Sequence, residues 1–144
     1  MMIPFKPRFF GIHEIMPRDM CDLYTEDFLW RIMDERILMA ADSLRVRYGK
    51  MVCNTWKWGG TNEYRGYRPP TYEFGAPFSQ HRYGRALDLV PVGCTAEEIR
   101  QDFKNEKITT IDRISFVTRI EDGVDWLHID CANNIAGSVY FFTA

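Results

Sequence analysis

The chain is expected to fold as one α+β domain, with a long N-terminal helix and a short second helix set on a small, mostly antiparallel sheet. Three observations predict this. Phe28, Ile32, Leu38, Ala41 and Leu44 recur at roughly helical spacing, with capping residues ahead of them and Gly49 behind. Residues 85–90 and 124–131 alternate with the period of two that marks a half-buried strand. Asp122-Gly123 is a strong turn signal between two apolar segments. The length of 144 residues suits a single domain spanning 1–144, and a hydrophobic fraction of 46% suffices for its core.

Taken in order, residues 1–22 are broken by proline and are expected to lie irregularly across the surface. Thr25 or Asp27 caps the long helix, which runs to about Tyr48 and stops at Gly49. Met51–Trp56 reads as a short buried strand. Residues 57–79 are rich in Gly, Pro, Tyr and Arg and are too long for a simple connection, which points to a functional loop. Arg85–Val90 is a strand, and Thr95 with Glu98 forms a capping box for a helix near 96–104. Ile111–Ile120 and Val124–Cys131 are read as a hairpin about Glu121-Asp122-Gly123, with a last strand at Val139–Thr143.

Composition removes several functions. The 18 basic and 20 acidic residues give a formal charge of −2 with no basic block, so there is no footprint for nucleic acid. Pro4 and Pro7 interrupt the N-terminal apolar residues, so neither a secretory core nor a membrane span is expected there. A protein made in the cytoplasm and reaching any external target after release is the corresponding expectation. Cys21, Cys53, Cys94 and Cys131 are far apart with no Cys-x-x-Cys pair, which predicts reduced thiols and argues against a cysteine metal site.

The chain has only three histidines, so their surroundings are readily compared. His81 lies in Ser79-Gln80-His81-Arg82-Tyr83-Gly84-Arg85-Ala86-Leu87-Asp88, and His128 in Asp125-Trp126-Leu127-His128-Ile129-Asp130. In the first strand Leu87 and Leu89 take one face and Asp88 the other. In the second, Leu127, Ile129 and Cys131 oppose Trp126, His128 and Asp130. If the strands are neighbours, Asp88 and His128 converge, and His81 can fold back to join them. Two histidines, one carboxylate and an open position suit a catalytic zinc site, where bound water has a pKa of about 7 instead of about 15.7. Asp130 shares a face with His128 and could orient it. His13, in the N-terminal segment, is expected to be structural or exposed.

The Ser-x-His-x-x-Gly-x-Ala-x-Asp string followed by Asp-x-x-His resembles the LAS-type metallopeptidases. This group includes D-alanyl-D-alanine carboxypeptidases, dipeptidases, phage peptidoglycan endopeptidases and the hedgehog signalling domain. Asn54-Thr55-Trp56, Gly59-Gly60 and Arg65-Gly66-Tyr67-Arg68 are similar to the segment ahead of the histidine motif in small phage-encoded members, so the likeness covers roughly residues 27–131. The resemblance implies a hedgehog/DD-peptidase-like fold with zinc held by His81, Asp88 and His128. It implies Asp125 as general base, in a position where the family often has Glu, and Arg68 as support for the scissile carbonyl or a substrate carboxylate. In a regular strand Asp125 and His128 face opposite ways, so both reach the metal only if the chain bends near 125–127; otherwise Asp125 is a solvated hairpin residue. Arg65 is the alternative to Arg68, and Ser79 either binds near the metal loop or substrate or simply shapes a turn.

The implied activity is hydrolysis of a peptide bond in a peptidoglycan stem peptide, of carboxypeptidase or endopeptidase type, by a monomer acting as a phage lysis enzyme. Two rivals stand beside it. A wall-binding or virion-associated domain could keep the fold without catalysis. His128-Ile129-Asp130 is also the local half of a non-haem iron site, but those enzymes place a further histidine later in the chain and none follows His128.

Overall fold

The computed structural model describes residues 3–144 and shows an α+β arrangement of short helices packed on a five-stranded mixed sheet. Met1 and Met2, at the start of the segment expected to be irregular, lie outside the described residues. The rest of that segment is more regular than expected, with helices α1 (Ile12–Ile15) and α2 (Arg18–Leu23). The long helix is in fact two, α3 (Glu26–Ile32) and α4 (Glu35–Tyr48). Thr25 caps α3 as expected, its side chain accepting from the Phe28 N–H. The break at Met33–Asp34 has two causes. Asp34 acts as a new N-cap, accepting from Arg36 N, and its own N–H donates to the Gly84 carbonyl at 2.8 Å. Gly49 ends α4 with φ +86°, a conformation that favours glycine.

The strands are β1 (Met51–Val52), β2 (Ala86–Pro91), β3 (Arg119–Glu121), β4 (Leu127–Asp130) and β5 (Tyr140–Phe142), in the spatial order β1-β2-β4-β3-β5. β1 is shorter than the expected Met51–Trp56, because the chain turns into a 3₁₀ segment at Trp56–Trp58. The expected hairpin arm from Ile111 is largely a 3₁₀ turn at Ile114–Phe116, and only Arg119–Glu121 pairs with β4. β5 then joins β3 in parallel, so the antiparallel sheet has one parallel edge. Helix α5 (Ala96–Lys104) begins with both halves of the Thr95–Glu98 capping box formed.

Leu87, Leu89, Leu127 and Ile129 are fully buried and face the helices, packing with Ile37, Leu38 and Leu44 of α4. Phe28, assigned to that apolar stripe, is instead exposed, and Leu29 and Trp30 take its place in the core. The four cysteines are free. Among the described residues no helix is long and apolar enough to cross a membrane.

Gly84, which ends the turn ahead of β2, packs closely against the end of α3. It has φ +68°, and a Cβ there would lie 2.5 Å from the Ile32 carbonyl oxygen at the end of α3. Gly84→Ala therefore combines a left-handed backbone with a backbone clash and should lower stability by about 1–3 kcal/mol. Thermal or urea unfolding should show the loss; a midpoint unchanged from wild type would contradict this packing.

Candidate metal centre

The β2–β4 register sets Asp88 directly opposite His128. Since Leu87↔Ile129 and Leu89↔Leu127 fill the core on one face, Asp88 and His128 must project together from the other. His81 arrives from a 3₁₀ turn at Gln80–Tyr83 that ends on the left-handed Gly84 and leads into β2. Its burial leaves 2% exposed, with Asp88 at 7% and His128 at 6%. One donor atom from each of the three lies within 4.8 Å of the others, so this buried cluster could hold a metal ion.

The hydrogen bonds around the imidazoles fix which nitrogens are free. His81 Nδ1 is 2.8 Å from the Gly66 carbonyl, which can only accept, so Nδ1 carries the proton and Nε2 keeps its lone pair. His128 Nε2 is 2.8 Å from Asp130 Oδ2, and its Nδ1 is 2.9 Å from Asp88 Oδ1. With the Nε2 proton donated to Asp130, Nδ1 is the nitrogen left for a ligand. His81 Nε2 is 3.2 Å from the same Asp88 oxygen, yet it is buried without a hydrogen-bond partner. A buried lone pair with no donor facing it is costly, and a cation answers it. The donor set that fits is thus His81 Nε2, Asp88 Oδ1 and His128 Nδ1.

The electrostatics agree. Burial would raise the Asp88 carboxyl, but the charges and hydrogen bonds of His81 and His128 outweigh it and hold the group well below the usual carboxylate range. Burial would likewise discourage a charged His128, but hydrogen bonds to Asp130 and Asp88, with their charges, push it up to about 9. Both shifts reflect one arrangement: carboxylates converge where positive charge is favoured.

A surrounding layer holds these groups in place. Asp130 is fully buried, accepts from Ala132 N at 3.2 Å, and lies 3.4 Å from Arg119 Nε. The Arg119 guanidinium stacks on Phe142, whose ring meets His128 edge-on at 5.4 Å. Arg68 reaches Asp88 Oδ2 at 3.4 Å, donates through Nε to the Tyr64 carbonyl, and approaches Ser79 Oγ at 3.5 Å. Arg65 behaves differently. Its side chain turns back to the Cys53 carbonyl, and its own carbonyl accepts from Asp88 N at 2.8 Å. Of the two arginines, Arg68 is the one whose side chain reaches the cluster.

Asp125 is exposed, in the bend at 123–126 that leads into β4, so the chain does leave strand geometry there. Among the described residues it makes no hydrogen bond or ion pair with the cluster. Trp126 is part exposed, and His13 packs edge-on against Trp56 at 5.7 Å. Sequence reasoning did not anticipate Arg119, Phe142 or the Gly66 carbonyl. Gly66 carried a signal, standing in the Arg65-Gly66-Tyr67-Arg68 segment, where a Cβ would overlap the Ile15 carbonyl.

Two outcomes are expected when zinc is titrated into the purified chain against a competing chelator. His128→Ala should abolish stoichiometric binding. Asp130→Asn, which keeps the shape but weakens the grip on His128 Nε2, should lower affinity about 10–100-fold. Equal affinity in Asp130→Asn and wild type would remove Asp130 from the centre. No family model, curated protein or solved structure matches this chain, so a functional assignment stands on the geometry of this centre.

Proposed function

We propose that the chain is a zinc-dependent peptidase that hydrolyses a peptide bond in bacterial peptidoglycan stem peptides. The observation that supports this most is the buried His81–Asp88–His128 cluster, with both imidazole lone pairs directed to one side of a single carboxylate. Two nitrogens and one oxygen are a donor set suited to zinc with a position left for water or substrate. Zinc held there would supply a Lewis acid and a water that loses its proton near neutral pH.

The remaining work falls to the chain's own residues. Asp125 accepts the proton of the attacking water as its oxygen bonds to the scissile carbonyl carbon. It then delivers that proton to the amine as the C–N bond breaks. Its exposed place on the bend ahead of β4 leaves it open to substrate. Arg68 keeps 18% of its side-chain surface open while resting against Asp88, so it can reach a substrate carbonyl or carboxylate beside the metal. Ser79 steadies Arg68, and Arg65, turned inward, ties the loop to β2. The bond is either the terminal D-Ala-D-Ala bond or the internal L-Ala-D-Glu bond, and the setting that fits is lysis of the wall after release from the cell. A wall-binding domain that keeps the ion without catalysis is the competing reading.

Mass spectrometry of digested muropeptides tests both. A new amine terminus, or free D-Ala, identifies the bond; zinc binding and wall binding with unchanged muropeptides would leave the competing reading. Asp125→Ala should keep its zinc and lose activity by a factor on the order of 10²–10⁴. Wild-type turnover in that variant would move the base elsewhere, to Asp130 first. Arg68→Lys keeps the charge but loses the planar fork. It should raise KM or lower kcat on a defined muropeptide at normal zinc content, and unchanged kinetics would exclude Arg68 as the anchor.

A further inference from the structure

Arg100 is a buried charge outside the metal cluster. It lies on the inner face of α5 with Ala96, Ile99 and Phe103, only 2% exposed. An arginine does not shed its proton, so its burial is tolerated only when its donors are matched. They are matched almost entirely by the segment that carries Asp125. Nη1 donates to the carbonyls of Glu121 at 3.3 Å and Trp126 at 3.1 Å, and Nη2 donates to that of Val124 at 2.8 Å. Nε is taken by Glu97 at 2.7 Å. Two further ties hold the same segment: Lys104 pairs with Asp122 at 2.9 Å, and Asp122 N donates to the Phe142 carbonyl at 2.7 Å.

The carbonyls immediately before and after Asp125 are therefore gripped by one rigid, planar cation. That cation stands on a helix fixed by its own capping box. Asp125 makes no side-chain hydrogen bond among the described residues, so its carboxylate is placed by the backbone alone. We propose that Arg100 is a positioning residue, its guanidinium holding the Val124 and Trp126 carbonyls so that the Asp125 carboxylate is presented to the His81–Asp88–His128 centre. This role rests on the reading of Asp125 as general base. A lysine could not substitute, because its point charge lacks the fork that spans several carbonyls at once.

The test uses the full chain as wild type, Arg100→Lys, Arg100→Ala and Asp125→Ala. The readouts are zinc content, kcat and KM on a defined muropeptide, and amide hydrogen exchange across residues 123–127. Both Arg100 variants should keep one zinc and show little change in KM. Their kcat should fall about 10²-fold, the scale of a misplacement near 1 Å, and exchange at 123–127 should quicken. Added guanidinium ion should restore part of kcat to Arg100→Ala and none to Asp125→Ala, a rescue that a general loss of structure would not give. If Arg100→Ala does not fold, Arg100→Lys carries the test. Wild-type kcat in that variant, or unaltered exchange at 123–127, overturns the role of Arg100 while leaving the peptidase reading intact. A wild-type chain that is zinc-loaded but releases no new amine overturns the peptidase reading, and the positioning role with it.

Discussion

The pairing of β2 with β4 is the constraint on which the rest of this molecule depends. Side chains alternate along a strand, so a slip of one residue would carry Asp88 to the core face and a leucine to the face of the cluster. The register is held by Leu87 and Leu89 against Ile129 and Leu127, all without exposed surface. Burying four such side chains is worth roughly 1.5–3 kcal/mol each. A slipped register would lose that burial and also set a carboxylate unpaired among apolar side chains, a further cost. Core packing and ligand placement are thus the same choice of register, made on opposite faces.

The third member of the cluster depends on the loop instead. His81 meets Asp88 because Gly66 presents a carbonyl to its Nδ1, and because Arg68 N donates to the His81 carbonyl at 3.2 Å. Gly66 can approach that closely because it has no Cβ to strike the Ile15 carbonyl. The same stretch is fastened from below, with Asn54 Oδ1 accepting from Arg65 N and the Arg65 carbonyl accepting from Asp88 N. The Gly-, Tyr- and Arg-rich loop is therefore a framework of backbone hydrogen bonds around the cluster, and its composition follows from that close packing.

Legibility in the sequence followed periodicity. Asp88, His128 and Asp130 could be placed on one face because a period of two needs only the strand to be recognised, and both strands alternate cleanly. The same logic could not find the break in the first helix. Residues 26–48 hold no proline or glycine, and Asp34 reads equally as a surface residue of a continuous helix. What decides against continuity is the bond from its N–H to the Gly84 carbonyl, fifty residues away in sequence. Arg100 was hidden for a related reason. An arginine on an amphipathic helix is ordinarily solvated, and only the return of residues 121–126 beneath α5 makes its burial possible. The turn signal at Asp122-Gly123 was real, but this tertiary anchor lengthened a tight hairpin into a bend.

The charges around the centre run against the overall charge of the chain. Asp88 is opposed by Arg68 and Asp130 by Arg119, so the two carboxylates and two guanidiniums balance. With both histidines neutral as ligands, a divalent ion would leave two net positive charges in a site largely shielded from water. At an effective dielectric of about 20, a carboxylate 4 Å from a single unit charge gains about 4 kcal/mol. The overall formal charge of −2 is spread over an exposed surface and screened within about 8–10 Å by salt. Local excess therefore outweighs global deficit at the cluster.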